Sequence, residues 1–157
     1  MVKFIKLSLV ILCMALIFIF SSDTSDTSTK KSDGVIIKSC EFVLRRKLTD
    51  KEKEKYIDKY VFIVRKGAHF SIYLILGLLI MSYFKEIYLI NTKGLLIAFL
   101  ICFLYACSDE IHQLFVPGRS GEFRDVLIDS TGSLIGTYIY YFIITIRRRL
   151  QWIRKSN

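Results

Sequence analysis

The sequence Asp109-Glu110-Ile111-His112-Gln113 places two carboxylates and an imidazole at the end of an apolar segment. The uncharged part of that segment, 95–107, would cover about 20 Å as a helix, whereas the hydrocarbon core of a bilayer is about 30 Å thick. The helix must therefore continue into the acidic residues, or the bilayer must thin around them. Ionisable groups at such a depth are costly, and they are functional candidates by default.

Three helical stripes are expected to carry polar residues toward one place. The stripes are Lys66, His69, Tyr73 and Gly77; Ala98, Cys102, Tyr105, Asp109 and His112; and Asp125, Asp129, Gly132 and Gly136. Residues three or four apart share a helix face, and polar groups in a membrane turn toward the interior of a bundle. We therefore predict a polar pocket formed by Lys66, His69, Tyr73, Asp109, Glu110, His112, Gln113, Arg119, Asp125 and Asp129.

Several kinds of chemistry are compatible with these residue types. His69 and His112 with a carboxylate could bind zinc or manganese, but the spacing is not that of an HExxH motif, and we expect no metal or cofactor. His69 with Asp109 could act as a general acid–base pair on a lipid-linked substrate, although no nucleophile is evident. Lys66 and Arg119 could bind an anionic headgroup. A purely structural charge network that fixes helix register is a further alternative.

Composition and charge indicate a membrane protein independently of these motifs. Hydrophobic residues make up 53% of the 157-residue chain, and the formal net charge is +9. This combination is typical of apolar helices joined by basic loops. The basic residues flank apolar segments, which suits lipid headgroups and not nucleic acid. The four cysteines form no CxxC pair, so neither a zinc ribbon nor a disulfide framework is indicated.

The elements that must position the pocket are four apolar segments, at about 4–20, 67–84, 95–115 and 125–146. They predict an all-α integral membrane bundle of four transmembrane helices in one domain, 1–157. We interpret the first segment as a retained helix, because 18–22 lacks the small-x-small pattern of a signal-peptide cleavage site. The pair Pro117-Gly118 predicts a tight turn after the third span. Gly132 and Gly136 form a GxxxG pattern for close packing within the chain or in a homo-oligomer.

A charged amphipathic segment is expected between the first and second spans. The stretch 21–33 is rich in Ser, Thr and Asp and predicts a loop. The stretch 39–65 predicts an amphipathic helix on the membrane surface, with a solvated charged helix as the alternative. Thr49-Asp50-Lys51-Glu52 has the form of a capping box at a helix start.

The distribution of Lys and Arg predicts the orientation. Lys3, Lys6, Lys85, Lys93 and 147–149 all fall on one side of a four-span bundle. The positive-inside rule makes that side cytoplasmic, so both termini are expected in the cytoplasm and the pocket faces outward. The basic segment 30–66 opposes this assignment, but it also carries many acidic residues.

The ordered polar motifs resemble those of the VanZ-like family of small bacterial membrane proteins. The matching pieces are Phe20-Ser21-Ser22, Arg65-Lys66-Gly67-Ala68-His69-Phe70 with Tyr73, 109–113, 115–121, Asp125, Asp129 and Thr131-Gly132. They cover nearly the whole chain in the right order. One departure is Ile72, where many relatives carry Glu, so any acid–base scheme that uses that carboxylate is in doubt for this chain.

The resemblance implies a multi-pass protein of the bacterial plasma membrane. The name-giving member is associated with low-level resistance to teicoplanin, a lipid-tailed glycopeptide. The expected role is a non-enzymatic envelope protein that lowers the access of lipoglycopeptides or maintains the envelope. The alternatives are an intramembrane enzyme acting on a lipid headgroup or lipid-linked wall precursor, and a dimeric scaffold. Expected partners are membrane lipids and a lipid-linked precursor or lipoglycopeptide.

Overall fold

The computed structural model describes residues 1–156, with side chains up to Arg154, and it consists of five helices. These are α1 (Val2–Ser21), α2 (Ser25–Leu44), α3 (Asp50–Glu86), α4 (Thr92–Gln113) and α5 (Phe123–Ser156). No strand occurs in this part of the chain. All helices except α2 are long and apolar enough to cross a membrane. The predicted all-α membrane bundle of four spans is therefore confirmed, while Asn157 of the predicted domain lies outside the described residues.

Helix α3 lies at the centre of the bundle and contacts each of the other four helices. At one end, Lys6 of α1 forms a 2.6 Å ion pair with Glu86 of α3. Further along α1, the backbone carbonyl of Met14 accepts a 2.6 Å hydrogen bond from the hydroxyl of Tyr105. Val10, Cys13 and Ile17 are buried. The first apolar segment thus packs as part of the bundle.

Glycines allow α3 and α5 to approach at backbone distance. A Cβ atom added to Gly132 would lie 2.3 Å from the carbonyl oxygen of Phe70, and one added to Gly136 would lie 2.1 Å from that of Leu74. On the facing helix, a Cβ at Gly77 would lie 2.5 Å from the carbonyl oxygen of Ser133. The GxxxG face therefore packs against α3 of the same chain, which is the within-chain alternative for this motif.

The outer faces of the spans are apolar. Large hydrophobic side chains that project outward from the four spanning helices include Phe4, Leu12, Ile75, Leu100, Leu104 and Phe142. A soluble chain of this size would rarely leave so much contiguous apolar surface uncovered. Lipid is the natural environment for these faces, since it removes them from water.

The segment after α1 is helical, so the predicted loop over 21–33 is wrong for most of its length. Thr24 caps α2, and its hydroxyl accepts a 3.4 Å hydrogen bond from the backbone N–H of Thr27. The Ser, Thr and Asp residues that favour loops also favour helix starts, because their side chains bond to nearby backbone groups. Burial of Ile36 in the region where α2 packs against α3 then favours the helix.

The predicted capping box at Thr49 is confirmed, and it begins α3. The helix then continues without a break for 37 residues, which corresponds to about 55 Å, well beyond the bilayer core. Helix α3 contains no proline, so its first half continues in line with the spanning half. This arrangement fits the solvated charged helix better than a helix lying flat on the membrane surface. We call α2 with 50–64 of α3 the polar hairpin.

The connection between α4 and α5 folds back over the end of the bundle. Helix α4 ends at Gln113, slightly before the predicted end, and it does continue through the acidic residues as its length required. Gly118 adopts a φ of +75° in the predicted turn, a conformation that glycine reaches without strain. Helix α5 runs well past the predicted end at 146, through the basic residues that follow the span.

Candidate functional site

Polar side chains from three spans meet inside the bundle at the end that carries the polar hairpin. Lys66 and His69 come from α3, Asp109 from α4, and Asp125 and Asp129 from α5. The three aspartates are buried. The predicted convergence of the three stripes is therefore present, because alternating spans bring the start of α5 and the end of α4 beside the middle of α3.

The centre of this region is a cluster of His69, Asp109 and Asp129, which we call the histidine–carboxylate trio. One ligand-type atom from each residue lies within 4.8 Å of the others. Nδ1 of His69 lies 3.7 Å from Oδ1 of Asp129. Asp129 is fully buried, and neither of its carboxylate oxygens has a hydrogen-bond partner. Oδ2 of Asp109 also lacks one.

The hydroxyl of Tyr73 adds another unpartnered polar atom to the same interior. Tyr73 is fully buried in the bundle, and its hydroxyl has no hydrogen-bond partner. The centroid of its ring lies 6.3 Å from that of Tyr105, whose hydroxyl donates a hydrogen bond to the backbone carbonyl of Met14. An unsatisfied hydroxyl in an apolar interior costs about 1–3 kcal/mol, so such atoms concentrate where a site has a use for them.

Lys66 and Asp125 form an ion pair that joins α3 to α5 beside the trio. Glu122 also approaches the ammonium of Lys66, at 4.0 Å. The ammonium group of Lys66 thus provides a counter-charge for the carboxylate of Asp125. Asp125 is therefore the direct ion-pair partner of Lys66.

Glu110 and Gln113 fasten the connection that follows α4. Glu110 Oε2 accepts a 2.8 Å hydrogen bond from the backbone N–H of Glu122, and its Oε1 accepts one of 3.2 Å from the side-chain amide of Gln113. Both residues are buried. Their contacts support a structural role at the start of α5, so they lie beside the trio and are not part of it.

His112 contacts α1 and is not a member of the trio, although it was predicted to share a helix face with Asp109. Its Nε2 is 3.0 Å from the hydroxyl of Ser22, and its ring stacks on Phe18 with centroids 4.4 Å apart. Three residues after Asp109, a side chain is rotated by about 60° around the helix, which directs His112 toward α1. His112 is not among the residues whose ligand-type atoms lie within 4.8 Å of one another, so the structure does not support a metal site that uses both histidines.

A cavity of about 220 Å³ opens against the trio. Three cationic residues, Lys31, Arg65 and Arg119, line it together with His69 and Asp109. Its apolar wall includes Ile17, Phe20 and Ile72. The position where many relatives carry Glu therefore belongs to this wall, and Ile72 makes that wall apolar in this chain.

Sequence reasoning missed two of the cations and one serine of this cavity. Lys31 lies in the predicted loop 21–33, but in the structure it belongs to α2, which brings it to the cavity, where it pairs with Asp23 at 2.5 Å. Arg65 lies in the motif 65–70 and is not among the predicted pocket residues. Ser21 is buried at the cavity. Its place in the motif Phe20-Ser21-Ser22 is the sequence feature that could have identified it as a cavity residue.

A second cavity of about 310 Å³ lies beside the first, and Arg65 and Arg119 line both. Lys66, Asp125 and Glu122 also line it. Nε of Arg119 donates a 3.1 Å hydrogen bond to the backbone carbonyl of Asp23. Burial lowers the pKa of the Arg119 guanidinium from its ordinary value, and neighbouring Arg65 acts in the same direction. A guanidinium nevertheless stays charged at neutral pH, so both cavities keep a cationic boundary.

The fold and the site define a helical membrane protein with a buried histidine–carboxylate centre below a cationic cavity. The family model described as VanZ/LLP1 matches residues 6–145, so the chain belongs to this family. The match confirms the resemblance drawn from the polar motifs and includes all the residues of the trio and of both cavities. No curated protein and no solved structure shows a significant match to the chain.

Proposed function

We propose that this VanZ-like membrane protein binds the anionic headgroup of a lipid-linked molecule in the bacterial plasma membrane. The observation that supports the proposal is the composition of the first cavity. Lys31, Arg65 and Arg119 supply positive charge, while Ile17 and Phe20 supply an apolar wall. Arginine is well suited to phosphate because its planar guanidinium can donate two parallel hydrogen bonds.

The apolar wall gives such a headgroup a path for its lipid chain. Phe20 lines the cavity and is also exposed on the surface of the bundle. A phosphate held by Arg65 and Arg119 could therefore keep its hydrocarbon chain against the lipid-facing side of α1. A soluble anion would gain only the charged contacts, so the site favours a lipid-linked ligand.

The size of the cavity favours a headgroup over an entire drug. Pockets for drug-sized ligands usually have volumes of about 300–1,000 Å³, whereas this cavity has about 220 Å³. A phosphate-sized group matches the smaller space better than a glycopeptide. Protection against teicoplanin would then arise indirectly, because binding the lipid-linked wall precursor changes what the drug meets at the cell surface.

This role requires the cavity to face outward, as the positive-inside rule predicts. The basic residues Lys3, Lys85, Lys93 and 147–149 belong to the opposite end of the bundle from the cavity. With that end in the cytoplasm, both termini are cytoplasmic and the polar hairpin lies outside. The cavity then lies at the surface where wall precursors and lipoglycopeptides meet.

Binding of a polyprenyl phosphate to the detergent-purified protein tests the proposal. Arg119→Gln should weaken binding by about 10- to 100-fold, because a charge-assisted contact contributes about 1.5–3 kcal/mol in a partly buried site. Arg124→Gln is the matched control, since Arg124 is exposed and lines neither cavity. Equal affinities of the two variants, or no binding by the unmodified protein, would contradict the proposal.

Susceptibility to teicoplanin and vancomycin tests the link to resistance. A sensitive Gram-positive host would carry the native chain or its Asp109→Asn form at matched membrane levels. Protection by the native chain alone would support a resistance role that depends on the trio. Unchanged susceptibility in both strains would contradict that role and leave envelope maintenance as the use of the same cavity.

An intramembrane enzyme is the second candidate, and the trio is the observation that favours it. His69 faces Asp129 at 3.7 Å, with Asp109 close by. A histidine oriented by a carboxylate is an arrangement that general acid–base catalysis uses. The expected pairing of His69 with Asp109 is thus supplemented by Asp129. Release of a headgroup product by purified protein, lost in His69→Gln but not in His112→Gln, would support this candidate.

A further inference from the structure

The histidine–carboxylate trio places two buried carboxylates beside a single imidazole. Asp109 and Asp129 are both buried, and three of their four carboxylate oxygens lack a hydrogen-bond partner. Moving a carboxylate into an apolar interior costs several kcal/mol unless a counter-charge or hydrogen bonds compensate it. The arrangement therefore calls for a positive species between these oxygens.

Among the described residues, no lysine or arginine forms an ion pair with Asp109 or Asp129. Lys66 is paired with Asp125, Lys31 with Asp23, and Arg119 is hydrogen-bonded to a backbone carbonyl. The trio is left with one imidazole for two carboxylates. A neutral imidazole offers a nitrogen ligand, and two carboxylates offer oxygen ligands with a combined charge of −2.

We propose that His69, Asp109 and Asp129 bind a divalent transition-metal ion, zinc or manganese, at the floor of the first cavity. Imidazole and carboxylate ligands suit these two ions. Three protein ligands with an open position toward a cavity are also the pattern of catalytic zinc sites. This set differs from the one that the sequence suggested, because Asp129 stands where His112 was considered.

The distances allow an ion to be enclosed with small side-chain movements. The three ligand atoms lie within 4.8 Å of one another, and the His69–Asp129 pair is already at 3.7 Å. Ligands about 2.0–2.2 Å from a tetrahedral zinc are about 3.4 Å apart. A contraction of about an ångström, by rotation of the Asp109 and His69 side chains, would complete the site.

The open position would face the cavity that His69 and Asp109 line. A bound ion would offset the two carboxylate charges, and it would present a positive centre toward the anionic headgroup. The metal proposal goes beyond the proposed function and does not depend on it, since metal binding can be measured without any lipid. Failure of one proposal therefore leaves the other testable.

Metal content and affinity of the full-length protein in detergent test this inference. After removal of metal with a chelator, Zn²⁺ and Mn²⁺ are titrated by calorimetry, and the metal content of protein purified without chelator is measured by mass spectrometry. We expect one equivalent per chain for at least one of the two ions. Binding of neither ion by the unmodified protein would overturn the proposal.

The two histidines of the chain provide a matched pair of variants. His69→Ala should weaken metal binding by about 100-fold or more, since even the loss of a partner outside the ligand set costs 10–100-fold. His112→Ala should retain the native affinity, because His112 contacts Ser22 and Phe18. Equal losses in both variants, or none in either, would overturn the assignment of the site.

A spectroscopic measurement keeps the test independent of variant folding. Cobalt substituted into the unmodified protein reports its ligands through its visible absorption, and Mn²⁺ reports a bound imidazole nitrogen by pulsed electron paramagnetic resonance. We expect a ¹⁴N coupling in the unlabelled protein. In protein labelled with ¹⁵N-histidine, a ¹⁵N coupling should take its place. Spectra with oxygen ligands alone would overturn the role of His69.

Discussion

The close contact between α3 and α5 predicts that a single methyl group at Gly136 will destabilise the bundle. A Cβ atom at this position would lie 2.1 Å from the carbonyl oxygen of Leu74. Ordinary contact begins at 3.4 Å, so the added atom is 1.3 Å too close. The opposing atom belongs to the backbone of a helix and cannot rotate away. Gly136→Ala must therefore push the two helices apart.

The size of the effect follows from two opposing contributions. Overpacking at a close contact typically costs about 1–3 kcal/mol, and here it also loosens the packing of residues along the interface. Alanine in place of glycine favours the helical state by up to about 1 kcal/mol. We expect a net loss of about 1–2 kcal/mol in the free energy of unfolding, and a disturbed trio, because His69 and Asp129 lie on the two helices that separate.

Gly67→Ala provides the matched control on α3. No atom lies within 4 Å of a Cβ added at Gly67, so only the helix-propensity gain applies there. The assay is thermal and denaturant unfolding of both variants in the same detergent, followed by circular dichroism. Gly136→Ala should be less stable than the native protein, and Gly67→Ala equally or more stable. If the two variants unfold alike, the backbone contact between α3 and α5 is not as described.

Three further perturbations test other parts of the fold. Lys66→Met should destabilise the protein by about 1–2 kcal/mol because Asp125 loses its partner. Adding Asp125→Asn should recover most of that loss, as a double-mutant cycle would show; additive losses would contradict the ion pair. Tyr105→Phe should cost about 0.5–1.5 kcal/mol in unfolding free energy, because the hydrogen bond to Met14 is lost; a melting temperature unchanged from native would contradict that contact. A membrane-impermeant maleimide should label Cys40 of the native chain in intact cells. The cysteine introduced by Lys93→Cys, in a chain whose native cysteines are replaced by serine, should be labelled only after permeabilisation; the reverse pattern would contradict the outward orientation.

The general architecture could be predicted from the sequence because it depends on the length and composition of whole segments. Runs of apolar residues specify spans, and the limited length of 95–107 indicated that α4 must include the acidic residues. Alternation of the spans then placed Lys66, Asp109 and Asp125 at one end of the bundle. These inferences need only length, polarity and connection order.

The finer arrangement could not be predicted, since it depends on the angles between helices. Asp109 and His112 share a broad helix face, but a rotation of about 60° directs them to different neighbours. Helix α2 was not predicted in full because its Ser, Thr and Asp residues are common both at helix caps and in loops. Its position determines that Lys31 reaches the cavity, so the complete cationic lining required tertiary structure.

Photo-crosslinking from the cavity wall tests the central claim most directly. A photoreactive residue at Ile72 lies in the wall of the first cavity, whereas one at Ile75 lies on an exposed, lipid-facing part of the same helix. With a labelled polyprenyl phosphate in detergent, Ile72 should crosslink several times more strongly than Ile75. Unlabelled polyprenyl phosphate should compete with this product, and phosphatidylcholine should not. Equal crosslinking at both positions, or equal competition by both lipids, would contradict a headgroup site in this cavity.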